Sequence, residues 1–445
     1  MLESRLSMTR TLIIDTLKKT GQAVLLKGWV NTRRDHGKIV FIDLRDRTGI
    51  IQTILSPDLA GSLHAEDVVY ITGLIKSRPE NLVNPHLPTG TIEIEVQKVE
   101  LISKAASLPF DIGGDKLELE LPTLLDYRSL TLRHPTVNPI FKVQEVVIDS
   151  FRKAMQKKDF FEFQAPVLIP EIAEGGSEVF RVPYFGHEVY LSQSPQLYKQ
   201  ILVGAYERVF SVNKTIRAEP STTTRHLTEV TTMDAEFGFI DSWMDVKDMA
   251  EYTIKYVINA VQEECGPILA KFNTTVPIIP KKIPMIKLRE AQEIIYKRSG
   301  RDPRQEPDLG PEDEREICRW AAEEFNSDLI FISHYPVKKR PFYTYPDPKD
   351  PEYTLSFDLL GRGTEWMTGG RRINDYDWLV KMALDRNVDP NKLSLYLQAF
   401  KYGMPPEGGF SFGSERITMH ILKLKNIREA SLFPRDMERV DIRLS

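Results

Sequence analysis

The sequence predicts an α+β protein in which a small β-barrel precedes a larger domain, built on a mostly antiparallel sheet flanked by helices. Five β-rich runs separated by turn residues fill residues 23–103. From about residue 138, alternating runs are mixed with helical patterns and do not repeat a strand–helix unit. Neither GxxxxGK(S/T) nor GxGxxG occurs, so a bound nucleotide would be held without either loop.

The barrel prediction depends on the order of the runs QAVLLKGWV, KIVFIDLR, GIIQTIL, DVVYITGLI and TIEIEVQKVEL. The polar connector SPDLAGSLHAED after the third run is typical of an OB-fold, although another small β-barrel fits the same pattern. We predict this domain over residues 1–104. Proline and glycine in residues 105–137 predict a hinge or linker, and residues 138–445 form the second domain.

Composition excludes several classes of protein. The 445 residues are 41% apolar and 27% charged, with a net charge of only -4, so a polyanionic partner would need local basic patches. Cys265 and Cys318 form no CxxC pair, which argues against a disulfide framework or a zinc site. The N-terminal residues lack a long uncharged stretch, and no run of 18 apolar residues occurs. We therefore expect a cytoplasmic protein that does not cross a membrane.

Residues 208–237 carry charged side chains that suit a nucleotide. On a strand, residues two apart share a face, so Arg217 and Glu219 project together, and Asp234 and Glu236 do so on the returning strand. Arginine suits phosphate because its planar fork donates two hydrogen bonds. An exposed hairpin with solvated charges would show the same pattern.

Three further segments carry weaker signals. In residues 404–424, glycines precede a helix predicted to begin near Ser414. Asp358 and Glu365 flank a Gly361–Gly363 turn, and paired carboxylates there could hold magnesium on phosphates. Gln196 and Lys199 are three apart on a predicted helix and share a face. Ordinary capped or exposed structure explains each segment equally well.

Together these segments resemble class II aminoacyl-tRNA synthetases. FRKAMQKKDFFEFQAPVL is similar to motif 1, IRAEPSTTTRHLTEVTTMDAEF to motif 2 and GGFSFGSERI to motif 3. SQSPQLYKQ, MPPEGGF and NIREASLFPRD resemble archaeal-type aspartyl-tRNA synthetases, and GWVNTRRDHGKIVFIDLRDRTGIIQ resembles the anticodon-binding OB domain of the aspartyl/asparaginyl/lysyl group. The short spacing between motifs 2 and 3 leaves no room for the large insertion of the bacterial enzymes.

The resemblance implies an aspartate–tRNA ligase that uses ATP and Mg²⁺. The substrates would be L-aspartate and tRNA-Asp, with tRNA-Asn left open. It implies catalytic roles for Arg217, Glu365 and Arg416. The nucleotide site would comprise Arg217, Ala218, Glu219, Arg225, His226, Leu227, Glu365, Gly413, Ser414, Glu415 and Arg416. Magnesium would be held by Glu365, with Asp358 and Thr368 near it.

For aspartate, the resemblance implies a site made of Glu174, Gln196, Lys199, Arg217, Thr368 and Arg372. Glu174 would take the ammonium group, and Gln196, Lys199 and Arg372 would read the side-chain carboxylate. The amide of asparagine would leave the two cations unpaired, which costs several kcal/mol when they are buried.

In the barrel, the resemblance implies that Phe41 stacks on an anticodon base, Gln52 reads a base, and Arg34 joins a basic strip for phosphates. The alternative for Phe41 is a place in the barrel core. Motif 1 also implies a twofold interface, hence a homodimer.

The chain departs from the family pattern at a few positions. Asp159 and Ser411 stand where glycine is usual, and Trp366, Met367 and Thr368 replace smaller residues. In a regular strand Glu365 and Thr368 would not share a face. Three alternatives remain: an asparaginyl-tRNA synthetase, against which Lys199 argues; a non-catalytic RNA-binding paralogue; and an aspartate-amidating relative, which would lack the OB domain.

Overall fold

A computed structural model describes residues 8–114, 116–172, 179–218 and 223–444. The chain divides into two compact units, one of Met1–Leu119 with Ser129–Thr136 and the other of Glu120–Arg128 with Val137–Ser445. The predicted linker therefore contributes to both units. No helix in the described part of the chain is long and apolar enough to cross a membrane.

The first unit contains a closed five-stranded barrel, as the OB-fold prediction requires. Its strands are β1 (Ala23–His36), β2 (Ile39–Asp46), β3 (Gly49–Leu55), β4 (Val68–Ser77) and β5 (Ile92–Ser103), joined in the order β1-β2-β3-β5-β4, and a short helix, α1 (Pro57–Ala60), follows β3. The period of two is clear in β2, where Val40, Ile42 and Leu44 fill the core. Phe41 therefore lies on the outer face, which rules out the core alternative.

The second unit is built on a mixed sheet of eight strands among its described residues. Their order is β12-β13-β16-β17-β18-β11-β10-β6, and only the end pairs β12–β13 and β10–β6 are parallel. The strands of this sheet are β6 (Phe161–Glu162), β10 (Arg208–Ile216), β11 (Glu229–Gly238), β12 (Met285–Lys287), β13 (Leu329–Ser333), β16 (Ser356–Gly361), β17 (Thr364–Arg371) and β18 (Glu407–Gly413). Two smaller sheets contain the remaining described strands, one made of β7 (Leu168–Ile169), β8 (Arg181–Tyr184) and β9 (His187–Leu191), the other of β14 (Pro346–Asp347) and β15 (Asp350–Thr354). The sheet confirms the mostly antiparallel prediction.

Helices flank this sheet and follow the predicted apolar periodicity. In chain order the helices after the barrel are α2 (Leu121–Asp126), α3 (Arg128–Thr131), α4 (Asn138–Gln156), α5 (Gln196–Tyr206), α6 (Trp243–Lys271), α7 (Leu288–Ser299), α8 (Pro311–Phe325), α9 (Tyr376–Asp385), α10 (Ser394–Lys401) and α11 (Ser414–Leu422). Most of α3 belongs to the first unit. The α4 residues Val143, Val147 and Phe151 are buried in the main core, as one helical face predicts. Asp159, where the family has glycine, has a φ of 61°. The backbone thus keeps the left-handed conformation that glycine adopts most easily.

A bulge in the β16–β17 hairpin changes which side chains share a face. Leu359 pairs with Met367 but Leu360 pairs with Glu365, so Trp366 is an extra residue in β17. The bulge reverses the alternation between Glu365 and Thr368. The regular strand on which that expectation depended is therefore absent, and Glu365 and Thr368 line one cavity.

Candidate active site

One cavity of about 150 Å³ collects the cations that the sequence analysis assigned to the amino acid. Gln196 and Lys199 come from the first turn of α5, Arg217 follows β10, and Arg372 follows β17; all four line it. Thr368 of β17 lines it as well. Five of the six residues predicted for aspartate thus meet in one space, and Glu174 lies outside the described residues.

The two key cations are already paired with acids. Lys199 Nζ lies 3.0 Å from Glu236 Oε2 and 3.4 Å from Asp234 Oδ1, and Arg372 Nε donates to Glu236 Oε1 at 2.7 Å. Complete burial would raise the pKa of Glu236, but Arg372 and Lys199 bring it below its ordinary value. The expectation that an amide ligand would leave these cations unpaired was wrong. What they offer the cavity is their remaining N–H groups, because lysine has three donors and arginine five.

A chain of buried hydrogen bonds runs behind Gln196. Its amide nitrogen donates to Gln200 Oε1 at 3.0 Å, Tyr396 donates to the same oxygen at 3.1 Å, and Gln200 Nε2 donates to Glu407 Oε1 at 2.8 Å. Burial and the nearby charge of Glu236 raise the pKa of Glu407 well above its ordinary value. The side-chain carbonyl oxygen of Gln196 accepts no hydrogen bond from a described residue. An open acceptor suits an ammonium group better than the carboxylate role predicted for this residue.

A second cavity of about 270 Å³ adjoins the first, since Arg217, Thr368 and Ser411 line both. It brings together most residues predicted for the nucleotide; besides Arg217 these are Arg225, His226, Leu227, Glu365, Gly413, Glu415 and Arg416. Arg416 Nη1 donates to the Glu365 carbonyl at 2.9 Å and lies 3.7 Å from its carboxylate. The glycine-rich strand β18 and the first turn of α11 form one wall.

Other residues predicted for the nucleotide either lie outside this cavity or are engaged in contacts within the protein. Ala218 lines neither cavity, and the buried Ser414 hydroxyl donates to Glu415 Oε2 at 3.0 Å. The Glu415 carboxylate accepts the Thr231 N–H at 3.0 and 3.1 Å, so it ties α11 to β11 rather than offering its charge to a ligand. Glu219 lies outside the described residues.

The predicted magnesium residues meet an arginine that the sequence analysis did not single out. Arg340 Nη2 lies 2.7 Å from Asp358 Oδ1, and Arg340 Nη1 donates to Thr368 at 3.1 Å. The pKa of Asp358 is raised to about 6 by burial; Arg340 opposes this shift and the charge of Glu365 adds to it. The free carboxylate expected at Asp358 is therefore held in an ion pair. Arg340 lies in an irregular loop, so no periodicity marked it.

Glu314 is a second missed residue. It lies in the first turn of α8, 3.2 Å from Arg225 Nη1. Burial and the neighbouring Glu365 raise its pKa to about 7, against the opposing charge of Arg225. In the sequence it is one acid among several in GPEDERE, where acids commonly favour a helix N-terminus. Only the fold reveals that this one reaches the cavity residues.

On the barrel, the predicted anticodon residues share the outer face of β1–β3. Arg34 lies opposite Phe41 in the strand register. Its guanidinium binds Asp43 at 2.8 and 3.0 Å and donates to Gln52 Oε1 at 3.4 Å. Half-buried Phe41 and Gln52 thus form one surface, although Asp43 already neutralises Arg34.

Comparison with known families agrees with this architecture. Residues 120–437 match the model of tRNA synthetases class II (D, K and N), and residues 24–102 match the OB-fold nucleic acid binding domain. The chain therefore belongs to the class II tRNA synthetases of the D, K and N group.

Individual relatives cover nearly all of the chain. It is 38% identical to the aspartate–tRNA(Asp/Asn) ligase of Aeropyrum pernix over 94% of this chain and 96% of that protein. It is also 38% identical to the aspartate–tRNA(Asp) ligase of Pyrococcus abyssi, over 96% and 97%. A crystal structure of asparaginyl-tRNA synthetase from Pyrococcus horikoshii complexed with asparaginyl-adenylate matches with a TM-score of 0.83 and 32% identity, over 95% and 97%.

Proposed function

We propose that this synthetase activates L-aspartate with ATP and transfers it to the 3′ end of tRNA-Asp. The observation that carries the proposal is that Lys199, Arg372 and Arg217 line one cavity, directly beside a second cavity rich in arginine. The similar ligases from Aeropyrum pernix and Pyrococcus abyssi support the same amino acid.

Selection of aspartate over asparagine follows from the donor pattern. Lys199 and Arg372 carry only donors, so both oxygens of an aspartate side chain can accept from them. The side-chain amide nitrogen of asparagine is itself a donor, so it could not accept a hydrogen bond from Lys199 or Arg372. Buried N–H groups would then lack an acceptor, which disfavours asparagine. Glu236 stabilises the two cations from behind without lining the cavity. Gln196 and Asp234, whose Oδ2 has no hydrogen-bond partner among the described residues, provide acceptors for the ammonium group.

ATP would occupy the second cavity with its outer phosphates toward Arg225 and Arg416. A magnesium ion would fit beside Glu365, which lines this cavity. Burial, together with the charge of Glu365, raises the pKa of the neighbouring Glu314 and Asp358, and a divalent cation would relieve the repulsion among these carboxyl groups. No three such side chains in the described ranges converge closely enough to hold a metal alone. This suits magnesium, which commonly shares its ligands between one or two carboxylates and substrate phosphates. When bound, it would neutralise phosphate charge.

Arg217 is the residue at which the two substrates would meet, because it lines both cavities. In the first step the aspartate carboxylate attacks the α-phosphorus in line and pyrophosphate leaves. Arg217 stabilises the negative charge that develops there. In the second step a ribose hydroxyl at the tRNA 3′ end attacks the carbonyl carbon and AMP leaves. No protein nucleophile is required.

The remaining partners follow the same reasoning. The outer-face surface formed by Arg34, Phe41 and Gln52 would bind the anticodon, with Phe41 stacking on a base. The homodimer and the cytoplasmic location stay predictions from the sequence. Sedimentation of the purified chain tests the dimer, and parallel charging of tRNA-Asp and tRNA-Asn shows whether one or both are substrates.

Amino-acid-dependent exchange of pyrophosphate into ATP is the experiment that tests the proposal. We expect exchange with aspartate and none above background with asparagine. Exchange that depends on asparagine and ignores aspartate would reverse the assignment. Absence of exchange with both, in a folded protein that still binds tRNA, would favour the non-catalytic alternative.

A further inference from the structure

We propose that Arg428, near the C-terminal end of the chain, is a positioning residue that fixes the loop Thr223–Thr228 over the nucleotide cavity. The inference goes beyond the proposed function but depends on it, because it concerns the binding of ATP. The loop carries Arg225 and His226, which line that cavity. Arg428 itself does not line it and would act only through the loop.

Residues 426–444, here called the C-terminal segment, contact the backbone of the loop at both of its ends. Arg428 Nη1 donates to the Thr223 carbonyl at 2.9 Å, and the N–H of Ile427 donates to the Thr224 carbonyl at 2.9 Å. At the other end, the Thr228 N–H donates to the Arg435 carbonyl at 2.8 Å. Backbone contacts of this kind fix position without depending on the identity of the loop side chains.

The Arg428 side chain is itself locked. It is 7% exposed, and its Nε donates to Asp436 Oδ2 at 2.5 Å. Asp436 thus orients the planar fork so that another nitrogen reaches Thr223. In addition, Leu227 of the loop and Ile427 of the C-terminal segment share a small apolar cluster with Met419 of α11. The loop is therefore held by packing and by backbone hydrogen bonds from this segment, in addition to the ion pair between Arg225 and Glu314 of α8.

Releasing the loop should weaken the binding of ATP more than the binding of aspartate. If the loop became ordered only when ATP binds, the free energy of ordering it would weaken the affinity for ATP. Holding the loop in place before binding removes that cost. Arg225 would lose its place over the outer phosphates if the loop were released. Lys199 and Arg372 are held by Glu236 and would be unaffected.

The test compares Michaelis constants in pyrophosphate exchange for Arg428→Lys, Arg428→Gln and Asp436→Asn. We expect KM for ATP to rise about tenfold in Arg428→Gln, which corresponds to the loss of about one hydrogen bond. The rise should be smaller in Arg428→Lys, because lysine keeps the positive charge but lacks the planar fork of arginine. KM for aspartate should stay within about twofold. Asp436→Asn keeps the shape, should give a smaller rise in KM for ATP, and serves if the arginine variants fail to fold.

Arg439 supplies a matched control. It is also a buried arginine of the C-terminal segment, but its side chain bonds to Asp126 and not to the loop. Arg439→Lys should leave KM for ATP unchanged. The inference is overturned if the native chain is active but the Arg428 and Asp436 variants keep its KM for ATP. It is also overturned if they raise both constants equally, or if Arg439→Lys raises KM for ATP as much. Lack of exchange by the native chain would instead refute the proposed function.

Discussion

Replacing Lys199 by methionine tests the amino-acid site most directly, because the two side chains are similar in length and differ in charge. Lys199 is 1% exposed, and its ammonium group lies between Glu236 at 3.0 Å and Asp234 at 3.4 Å. The variant leaves these buried acids with one cation fewer. Breaking a buried ion pair typically costs about 3–5 kcal/mol. We expect the lower end for unfolding, because Arg372 still binds Glu236.

The Lys199→Met variant should also bind aspartate more weakly. Loss of one buried charge-assisted contact to the substrate carboxylate costs roughly 2–5 kcal/mol, which corresponds to a fall in kcat/KM of about 30-fold to several thousandfold. We expect this fall in kcat/KM for aspartate in pyrophosphate exchange, with KM for ATP nearly unchanged. Lys214→Met is the matched control, because Lys214 pairs with Glu229 on the surface, where such pairs contribute little.

A kcat/KM for aspartate within about threefold of the native value in Lys199→Met would refute this reasoning. So would an equal loss in Lys214→Met, since that would trace the effect to something other than the buried ammonium group. Thermal unfolding of both variants separates a lost contact from a lost fold.

Three further predictions concern other parts of the chain. Phe41→Ala should raise KM for tRNA about tenfold or more and leave pyrophosphate exchange unchanged, because stacking on one base is worth about 1–3 kcal/mol; equal loss in both assays would contradict an anticodon role. Glu314→Gln should change the pH dependence of stability. The pKa of Glu314 is raised from 4.5 to about 7, so its contribution is fully present below pH 4.5 and is lost as pH rises through about 7. Glutamine resembles the protonated acid at every pH. The unfolding temperature of Glu314→Gln minus that of the native chain should therefore be larger at about pH 8 than at about pH 5; the same difference at both pH values would argue against the raised pKa. Asp159→Gly should change the free energy of unfolding by less than about 1 kcal/mol, whereas Asp159→Val should lower it by roughly 1–2 kcal/mol, because a β-branched residue does not tolerate a φ of 61°; similar unfolding temperatures for the two variants would be inconsistent with this reason.

Much of the site could be predicted because its signals are local. The three-residue spacing of Gln196 and Lys199 places them on one helical turn wherever that helix packs. The helix at Ser414 begins directly after its glycine-rich strand, as expected. The β-rich run KIVFIDLR predicted the barrel strand β2, although the position of Phe41 outside the core was left open.

Other features had no local signal. The bulge at Trp366 moves Thr368 to the side of Glu365, and an extra residue in a strand cannot be recognised from a two-residue period. Arg340 lies in an irregular loop, and Glu314 is one acid in an acidic turn. Their roles arise from partners far away in the chain, such as Asp358 and Arg225.

The sequence by itself determined the barrel, the mostly antiparallel sheet and the identity of the cations, because periodicity and residue chemistry are properties of short segments. The tertiary structure alone decided how those charges are balanced. Glu236 lies behind Lys199 and Arg372, and Glu407 accepts a hydrogen bond from Gln200 behind Gln196. Burial and the distance between charges set ionisation and hydrogen-bond direction, and both depend on chain segments that meet only in the folded protein.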